Sequence, residues 1–248
     1  MFVMDVTFFA LAIPAVVFAG VSKGGFGSGA AFASATILAL VVEPGVAVGV
    51  MLPLLMLIDA ASLRPYWRKW SGAHLRLLLL GGVPGTALGA LFFRAANDDL
   101  LRLLLGGISL GFVLWQVVPF ARARRAPFPP WGGVLAGIVG GFTSFVAHAG
   151  GPPVAVYMLS QNVGKTRYQA TSVILFWVLN ILKFVPYSFL GIFTAQTLWA
   201  DLWLSPFAVL GAWIGVRAHF LISDRAFFGL TYVLLTLTGS KLIWDALT

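Results

Sequence analysis

Charged residues are scarce in this chain of 248 residues, at 10% of the sequence, while 60% of the residues are hydrophobic. Soluble domains carry about 25% charged residues, which help to form the polar surface that water requires. With a mean hydropathy of +0.95, the chain cannot present such a surface, and the composition predicts a protein whose solvent is lipid. Because a helix needs about 20 apolar residues to cross a bilayer, the length allows up to about ten short spans and almost no domain outside the membrane.

Cysteine is absent, which excludes disulfides, iron–sulfur clusters, thiolate zinc sites and cysteine nucleophiles. The sequence predicts no metal site and no other cofactor. Although the net charge is +8, the basic residues are scattered through short connectors and form no contiguous face, which argues against nucleic acid as a partner. Asp5 precedes the first apolar stretch and Lys23 follows it, so we interpret the amino-terminal segment as a retained span and not as a cleaved signal peptide.

Ten apolar segments with very short connectors follow one another along the chain. They cover residues 6–22, 27–42, 45–63, 75–95, 100–120, 131–148, 152–160, 169–191, 200–221 and 226–246. Runs such as Val50–Ile58 are apolar at every position, whereas a transmembrane β-strand alternates apolar and polar side chains. The segments are therefore predicted to be helices, and the predicted fold class is an all-α polytopic membrane protein.

The two halves of the chain resemble each other at an offset of 126 residues. That offset pairs Gly24 with Gly150, Gly25 with Gly151, Gly85 with Gly211, Gly89 with Gly215 and Asp98 with Asp224. Each half opens with an apolar segment, breaks at a double glycine and later shows small residues at four-residue spacing, which suits close helix packing. The pattern predicts two repeats, residues 1–120 and 131–248, joined by a basic linker at 121–130. Each repeat would hold a glycine-broken or re-entrant helix pair and three spanning helices.

The distribution of positive charge predicts the orientation of the two repeats. Lysine and arginine concentrate in the connectors that follow segments three, five, seven and nine: Arg64, Arg68, Lys69, Arg76, Arg122, Arg124, Arg125, Lys165, Arg167, Arg217 and Arg225. Because positively charged connectors stay in the cytoplasm, both termini are predicted to lie on the periplasmic side. Each repeat crosses the membrane an odd number of times, so the second is inverted relative to the first, an arrangement typical of secondary transporters.

The first break, Gly20–Gly29, has the richest set of polar groups. A helix that restarts after Lys23 would point its unpaired N–H groups and the positive end of its dipole into the break, and Lys23 would add a full charge. The other members of this predicted anion-binding site are Ser22, Gly24, Gly25, Gly27 and Ser28. The spacing differs from that of a Walker loop, which argues against a nucleotide. A flexible hinge whose lysine reaches the membrane interface is the alternative.

The second break, Gly140–Pro153, is the predicted counterpart of the first. Pro152 and Pro153 mark a helix restart, because proline is well tolerated in the first turn of a helix. The predicted binding site gains Ser144, His148, Gly150 and Gly151. The 126-residue offset places His148 opposite Ser22, where it would bind the anion or carry a coupled proton, since histidine titrates near neutral pH. A hydrogen bond from this histidine to a carbonyl is the alternative.

Two further charges lie within apolar segments. In that part of the chain an offset near 124 residues places Asp59 opposite Lys183. We predict an ion pair between them that serves coupling or gating and opens in one state of the protein; a static pair is the alternative. Asn180, one turn before Lys183, adds a polar group to the predicted binding site.

Other classes of protein remain open at this point. Ser144 and His148 are four residues apart, which suits a nucleophile and its base on one helix face, as in an intramembrane serine hydrolase. However, Ser144 does not lie in a Gly-x-Ser-x-Gly elbow, and no set of oxyanion donors is identifiable. The further alternatives are a channel, a passive scaffold subunit, and a transporter for another small anion such as a carboxylate.

The chain resembles the TauE/SafE family of sulfite exporters in the runs Ser22–Gly29 and Ala149–Pro153, and in the run Gly164–Ser172 that leads into the helix of Asn180. The resemblance covers essentially the whole chain. It implies a bacterial inner-membrane carrier for a small sulfur-containing anion of the sulfite, sulfonate or sulfoacetate type, driven by the proton-motive force. The anion and membrane lipids would be its partners. The individual substrate, the direction of transport, the coupling ion and a homodimeric state are left open.

Overall fold

The structure is a computed structural model that describes residues 4–26, 31–117, 127–218 and 224–248. These residues form ten α-helices and no β-strand. In chain order the helices are α1 (Val6–Gly25), α2 (Ala33–Leu38), α3 (Pro44–Tyr66), α4 (Gly72–Ala95), α5 (Asp98–Val117), α6 (Pro130–Ala147), α7 (Gly151–Ser160), α8 (Lys165–Phe189), α9 (Ala195–Ala218) and α10 (Asp224–Leu247). They follow the ten predicted apolar segments one for one, which confirms the all-α fold class.

Helix length divides the elements into two groups. Within the described residues, six helices are long and apolar enough to cross a membrane, namely α1, α3, α4, α6, α8 and α9. The helices α2 and α7 have 6 and 10 residues, which makes them about 9 and 15 Å long and much shorter than the hydrocarbon core of about 30 Å. Each half therefore contains one long helix followed by one short helix, at the position where the sequence predicts a glycine-broken pair.

Polar and proline residues set several helix ends. The Asp5 carboxylate accepts a hydrogen bond from Phe8 N at 2.8 Å and caps α1. Proline occupies the first turn of α3, α6 and α7, where a missing N–H leaves no hydrogen bond unmade. The helix α6 ends at Ala147, and its C-cap residue His148 has a φ of 55°, in the left-handed region. This conformation turns the chain from α6 into α7 within three residues.

Glycine allows α1 and α9 to pack with their backbones in contact. A Cβ atom added at Gly211 would lie 2.6 Å from Val17 O, and one added at Gly215 would lie 2.6 Å from Val21 O. A Cβ atom added at Gly24 would likewise lie 2.6 Å from Ala212 O on α9. Such contact between small residues is typical of helix association in lipid. Because the contacts advance in the same direction along both helices, α1 and α9 are parallel.

The helices α4 and α6 pack in the same way. Gly81 lies against Val134 O and Gly85 lies against Ile138 O, and neither position has room for a Cβ atom. The order of these contacts makes α4 and α6 parallel as well. Each half of the chain thus contributes one long helix to each of two glycine-lined pairs.

The helices α3 and α8 are antiparallel and cross through the middle of the fold. Gly49, near the start of α3, faces Ile192 just beyond the end of α8, whereas Tyr66 at the end of α3 packs with Ala170 near the start of α8. Asn180 lies between these two contacts along α8. Polar side chains on the facing sides of α3 and α8 therefore meet at the centre of the molecule.

We expect Gly211→Ala to destabilise the protein, because the new Cβ atom would overlap the backbone of α1. Overpacking of this kind costs about 1–3 kcal/mol. The matched control is Gly111→Ala on α5, where a Cβ atom has nothing within 4 Å and alanine favours the helix. The thermal unfolding midpoints of the two purified variants provide the measurement. Equal midpoints would contradict the close contact between α1 and α9.

Candidate functional site

A buried ion pair joins α1 to α3. Lys23 Nζ lies 2.7 Å from Oδ1 and 2.8 Å from Oδ2 of Asp59, and Asn180 Nδ2 donates to the same Oδ2 at 2.8 Å. None of these three residues is more than 3% exposed. The Lys23 ammonium also lies 5.7 Å from the centre of the Phe176 ring on α8. The helices α1, α3 and α8 thus converge on one carboxylate.

A second lysine, Lys183 of α8, is surrounded by neutral acceptors. Its Nζ lies 2.9 Å from Ser144 O, 3.1 Å from Ser144 Oγ and 3.0 Å from His148 Nδ1. On the other side of the imidazole ring, His148 Nε2 lies 2.9 Å from Val48 O. A carbonyl oxygen only accepts hydrogen bonds, so Nε2 carries the proton of a neutral ring and Nδ1 is an acceptor. The three protons of a charged Lys183 therefore meet three acceptors.

The cluster formed by Lys23, Asp59, Ser144, His148, Asn180 and Lys183 carries more positive than negative charge. Among the residues that the structure describes, no carboxylate lies within 4 Å of Lys183 Nζ, and Asp59 is already paired with Lys23. With His148 neutral, two ammonium groups share one carboxylate. An unbalanced charge is costly where the dielectric constant is low. The geometry therefore favours an anion beside Lys183.

Tyrosine hydroxyls hold the two helix ends that carry the cluster. Tyr66 of α3 donates to Gly24 O at 2.8 Å, and Tyr187 of α8 donates to Phe145 O at 2.5 Å. The last carbonyl groups of a helix have no partner within the helix, and hydrocarbon offers none. These two bonds satisfy such carbonyl groups inside the protein, and so fix the ends of α1 and α6 next to the crossing of α3 and α8.

The end of α1 differs from the sequence prediction. The prediction that a helix restarts directly after Lys23 is wrong, because α1 continues to Gly25 and the next helix begins at Ala33. This turn therefore presents the carbonyl groups of a helix end, such as Lys23 O and Gly24 O, in place of the N–H groups of a helix start. The reason is tertiary, since close packing against α9 keeps the glycines of this turn helical. The turn contains Ser22, Lys23, Gly24 and Gly25, whereas Gly27 and Ser28 lie outside the described residues.

The predicted ion pair between Asp59 and Lys183 is also wrong. Asp59 pairs with Lys23, and its partner on α8 is Asn180, one turn before Lys183. The packing of side chains such as Tyr66 sets the register between α3 and α8, and a sequence alignment of small residues misses that register by one turn. The predicted coupling residues nevertheless lie together in the cluster, which includes Asn180 from the predicted binding site.

The second break lies where the sequence predicts it. Gly150 caps α7 and Gly151 is its first residue. A Cβ atom at Gly150 would lie 2.6 Å from Gly140 O, so this close approach requires glycine. Pro152 and Pro153 lack N–H groups, which removes two of the donors that the start of α7 would otherwise offer to an anion. Charged side chains of the cluster therefore contribute more to anion binding here than the helix start does.

Ser144 and His148 do not form a nucleophile and base. His148 leaves α6 in the left-handed conformation, so it does not continue the helix face that carries Ser144. Its Nδ1 contacts Lys183 and its Nε2 contacts Val48 O. In the part of the chain that the structure describes, no hydrogen bond joins the side chains of Ser144 and His148.

Sequence reasoning missed three groups that shape the cluster. Gln169 Nε2 donates to Lys23 O, the Phe176 ring lies beside the Lys23 ammonium, and Val48 O orients the His148 ring. One signal existed on α8, where positions 169, 172, 176, 180 and 183 have the three- and four-residue spacing of a single helix face. A backbone acceptor such as Val48 O leaves no mark in a sequence, because every residue has a carbonyl group.

The chain matches a family model, described as sulfite exporter TauE/SafE, over residues 12–242. The chain belongs to the TauE/SafE family. Among curated proteins and solved structures, nothing matches it. TauE/SafE proteins are membrane transporters of sulfur anions, so this chain is a membrane transporter of sulfur anions in general and not an enzyme. The TauE/SafE resemblance in the sequence is thereby confirmed.

We expect Lys23→Met and Asp59→Asn each to destabilise this TauE/SafE protein by about 3–5 kcal/mol, because each variant leaves an unpaired charge in the interior. The double variant should lose less than the sum, since neither charge remains. The measurement is a double-mutant cycle of the free energies of unfolding. A second cycle with Lys183→Met and Asp59→Asn serves as the control and should show weaker coupling. Equal coupling energies in the two cycles would contradict the pairing of Lys23 with Asp59.

Proposed function

We propose that the protein is a secondary-active transporter that moves a small sulfur-containing anion of the sulfite, sulfonate or sulfoacetate type across the bacterial inner membrane, coupled to protons. The observation that carries this proposal is the buried Lys183 side chain, which lies beside a helix break and has only neutral partners. Membership in the TauE/SafE family supports sulfur anions as the substrate class. The charge of the cluster independently supports an anion.

In this proposal the anion binds beside Lys183 and replaces some of its neutral acceptors. The Ser144 hydroxyl can change from acceptor to donor when an anion approaches. The first N–H groups of α7, at Gly150 and Gly151, are the nearest backbone candidates after the break. Lys23 stays paired with Asp59 and adds positive potential without direct contact. This assignment moves the centre of the site from Lys23, which the sequence favours, to Lys183.

Alternating access follows from the burial of the cluster. Asp59 and Lys183 have no exposed surface, and His148 is 6% exposed, so water does not reach the site in this conformation. An anion can enter and leave only if the surrounding helices move. We propose that one bundle moves against the other around this site, with the pair of α1 and α9 in one bundle and the pair of α4 and α6 in the other, as in other secondary transporters with inverted repeats.

Matching tyrosine contacts support the inverted repeat. An offset of 121 residues relates Tyr66 to Tyr187 and Gly24 to Phe145. The same offset therefore carries the hydrogen bond from Tyr66 to Gly24 O onto the hydrogen bond from Tyr187 to Phe145 O. Two long-range contacts that superpose under one offset are stronger support than the glycine positions, because they involve helix partners as well as residue types.

The pairing of helices supports the same relation. The 121-residue offset places Asp59 on Asn180, and these two residues bond to each other across the antiparallel crossing of α3 and α8. A two-fold axis in the membrane plane would make equivalent helices antiparallel, and would exchange the parallel pair α1 and α9 with the parallel pair α6 and α4. We therefore propose residues 1–120 and 131–248 as the two repeats, with 121–130 as the linker.

Contacts between connectors support the proposed orientation in the membrane. Ser71 N, at the start of α4, donates to Thr171 Oγ1 in the first turns of α8 at 3.0 Å. The connectors before α4 and before α8 therefore lie at the same end of the molecule, and they carry Arg68, Lys69 and Lys165. We assign this end to the cytoplasm and both termini to the periplasmic side.

Lys183 and His148 form a pair of groups suited to gating. A proton on His148 Nδ1 would face the Lys183 ammonium at 3.0 Å, and two like charges at that distance repel. Protonation of His148 and the observed position of Lys183 therefore exclude each other. We propose that this pair controls access to the anion, while Asp59 holds Lys23 in place.

We expect Lys183→Met to weaken binding of a short sulfonate about thirtyfold or more, because loss of one partner of a buried charge pair costs about 2–5 kcal/mol and 1.4 kcal/mol is tenfold. Calorimetry or ligand-dependent thermal shift of the purified variant measures the affinity. Lys241→Met is the matched control, since Lys241 is exposed and pairs with Asp245 on the same helix, and it should bind as the wild type does. Unchanged affinity in Lys183→Met would place the anion site elsewhere.

Monoanions should be transported in preference to dianions of similar size, so within the proposed substrate class simple sulfonates should be preferred to sulfoacetate, which carries two negative charges. One positive charge of the cluster is unpaired, so a second negative charge on the substrate would remain uncompensated in the interior. In proteoliposomes with an imposed pH gradient, methanesulfonate should compete with labelled sulfite flux at least about tenfold better than sulfate does, a conservative figure for an uncompensated buried charge. Equal competition by sulfate overturns this charge rule. Stronger competition by acetate would favour a carboxylate as the substrate.

A further inference from the structure

A carboxylate outside the cluster, Asp201, is buried without a partner. It lies in the second turn of α9, and 8% of the residue is exposed. Neither Oδ1 nor Oδ2 has a hydrogen-bond partner among the residues that the structure describes. A charged carboxylate without a partner is costly in such an environment, and ionisable groups within membrane helices usually have a function. The anion site described above does not use Asp201.

The residues next to Asp201 on α9 pack into an apolar core. Its neighbours Ala200 and Leu204 belong to the same buried core as Phe8 of α1 and Leu55 of α3. The helices α1 and α3 are the elements packed most extensively against α9. The described residues contain no group of three or more His, Cys, Asp or Glu side chains that could hold a metal ion, and a single carboxylate needs only one of its oxygens to bind a proton.

Hydroxyl groups one turn away on α9 are committed to their own backbone. Thr197 Oγ1 donates to Thr194 O at 3.0 Å, and Ser205 Oγ donates to Leu202 O at 2.9 Å. A serine or threonine hydroxyl has a single proton to donate. These neighbours therefore offer Asp201 no donor in this conformation.

Titratable groups on α9 and on the helices packed against it are few, and two of them, Asp5 and Glu43, lie at the same end of the molecule as Asp201. They are Asp5 at the N-cap of α1, Glu43 at the N-cap of α3, the paired Lys23 and Asp59, Arg64 and Tyr66 at the far end of α3, and Arg217 at the far end of α9. None of them forms a hydrogen bond or an ion pair with Asp201 in the described residues. A proton needs no other side chain at this position, because it binds covalently to one carboxylate oxygen.

We propose that Asp201 is the proton-carrying group of the transport cycle. One carboxylate oxygen forms an O–H bond with a proton from water on the outer side, keeps it in the closed conformation, and loses it to water on the inner side after the helices move. Asp201 lies six residues beyond Ala195, the first residue of α9, or about 9 Å along the helix. A limited opening at this end of α9, the outer end in the proposed orientation, brings outer water to the carboxylate, whereas release on the inner side requires the larger movement of the helices.

The packing of α9 connects Asp201 to the anion site. The backbone of α9 touches that of α1, through Gly211 and Val17, and α1 carries Lys23. Ionisation of Asp201 makes its burial among apolar residues unfavourable and so moves α9. Backbone contact between α9 and α1 transmits that movement to the ion pair of Lys23 and Asp59. This inference rests on the proposed transport function, and it adds a residue that lies outside the anion site.

Infrared spectroscopy of the purified protein in lipid nanodiscs, without any anion, tests the protonation directly. A protonated carboxyl group has a C=O stretching band that an ionised carboxylate lacks. We expect this band in the wild type at neutral pH and its loss in Asp201→Asn, while Asp99→Asn, which changes an exposed residue paired with Arg102, keeps it. Absence of the band from the wild type, or its persistence in Asp201→Asn, overturns the proposal whether or not the protein transports the offered anion.

Proteoliposomes with an internal pH indicator test the coupling. In Asp201→Asn we expect loss of gradient-driven anion accumulation and of anion-dependent proton movement, with retention of anion counterflow, which needs no net proton transfer. Asp201→Leu, also neutral, should behave alike, and melting midpoints show that both variants are folded. Proton-coupled accumulation that survives in either folded variant contradicts the proposal. Absence of flux for every offered anion in the wild type would reject the proposed function and, with it, the coupling by Asp201.

Discussion

The arrangement of the central helices depends on the interactions of the Asp59 carboxylate. In a bilayer a charge can be buried only with a compensating partner, and Asp59 receives the Lys23 ammonium from α1 and the Asn180 amide from α8. Because these partners come from different helices, the need to compensate one charge holds the end of α1 against the crossing of α3 and α8. The same need leaves Lys183 as the ammonium group of the cluster that has no carboxylate within 4 Å among the described residues.

Close glycine packing complements this charge compensation. In lipid the hydrophobic effect does not drive helices together, so van der Waals contact between their backbones supplies the attraction. The interfaces of α1 with α9 and of α4 with α6 are of this kind, and each behaves as a rigid pair, because two backbones in contact have little room to shift separately. Movement in such a fold therefore concerns whole pairs of helices. Charges at the ends of these pairs are well placed to decide which arrangement is stable.

Two kinds of buried ionisable group thus have different consequences in one molecule. The paired charges of Lys23 and Asp59 stabilise the closed arrangement, whereas Lys183, with neutral acceptors, and Asp201, with no partner among the described residues, are the groups whose environment we propose to change when an anion or a proton passes. A transporter needs both kinds. If every buried charge were paired, the closed arrangement would be too stable to open. If none were paired, the helices would not stay assembled.

The sequence alone determined the membrane setting, the ten helices, the position of the second break and most members of the site. Composition and apolar runs fix these features locally, since every backbone group in lipid must be satisfied within a helix. Tertiary structure alone decided that α1 continues past Lys23, that Asp59 pairs with Lys23 and not with Lys183, and that Val48 O orients His148. Those outcomes depend on helix register and on backbone contact between distant segments. A shift of one turn, which hardly changes an apolar pattern, exchanges one partner of a buried charge for another.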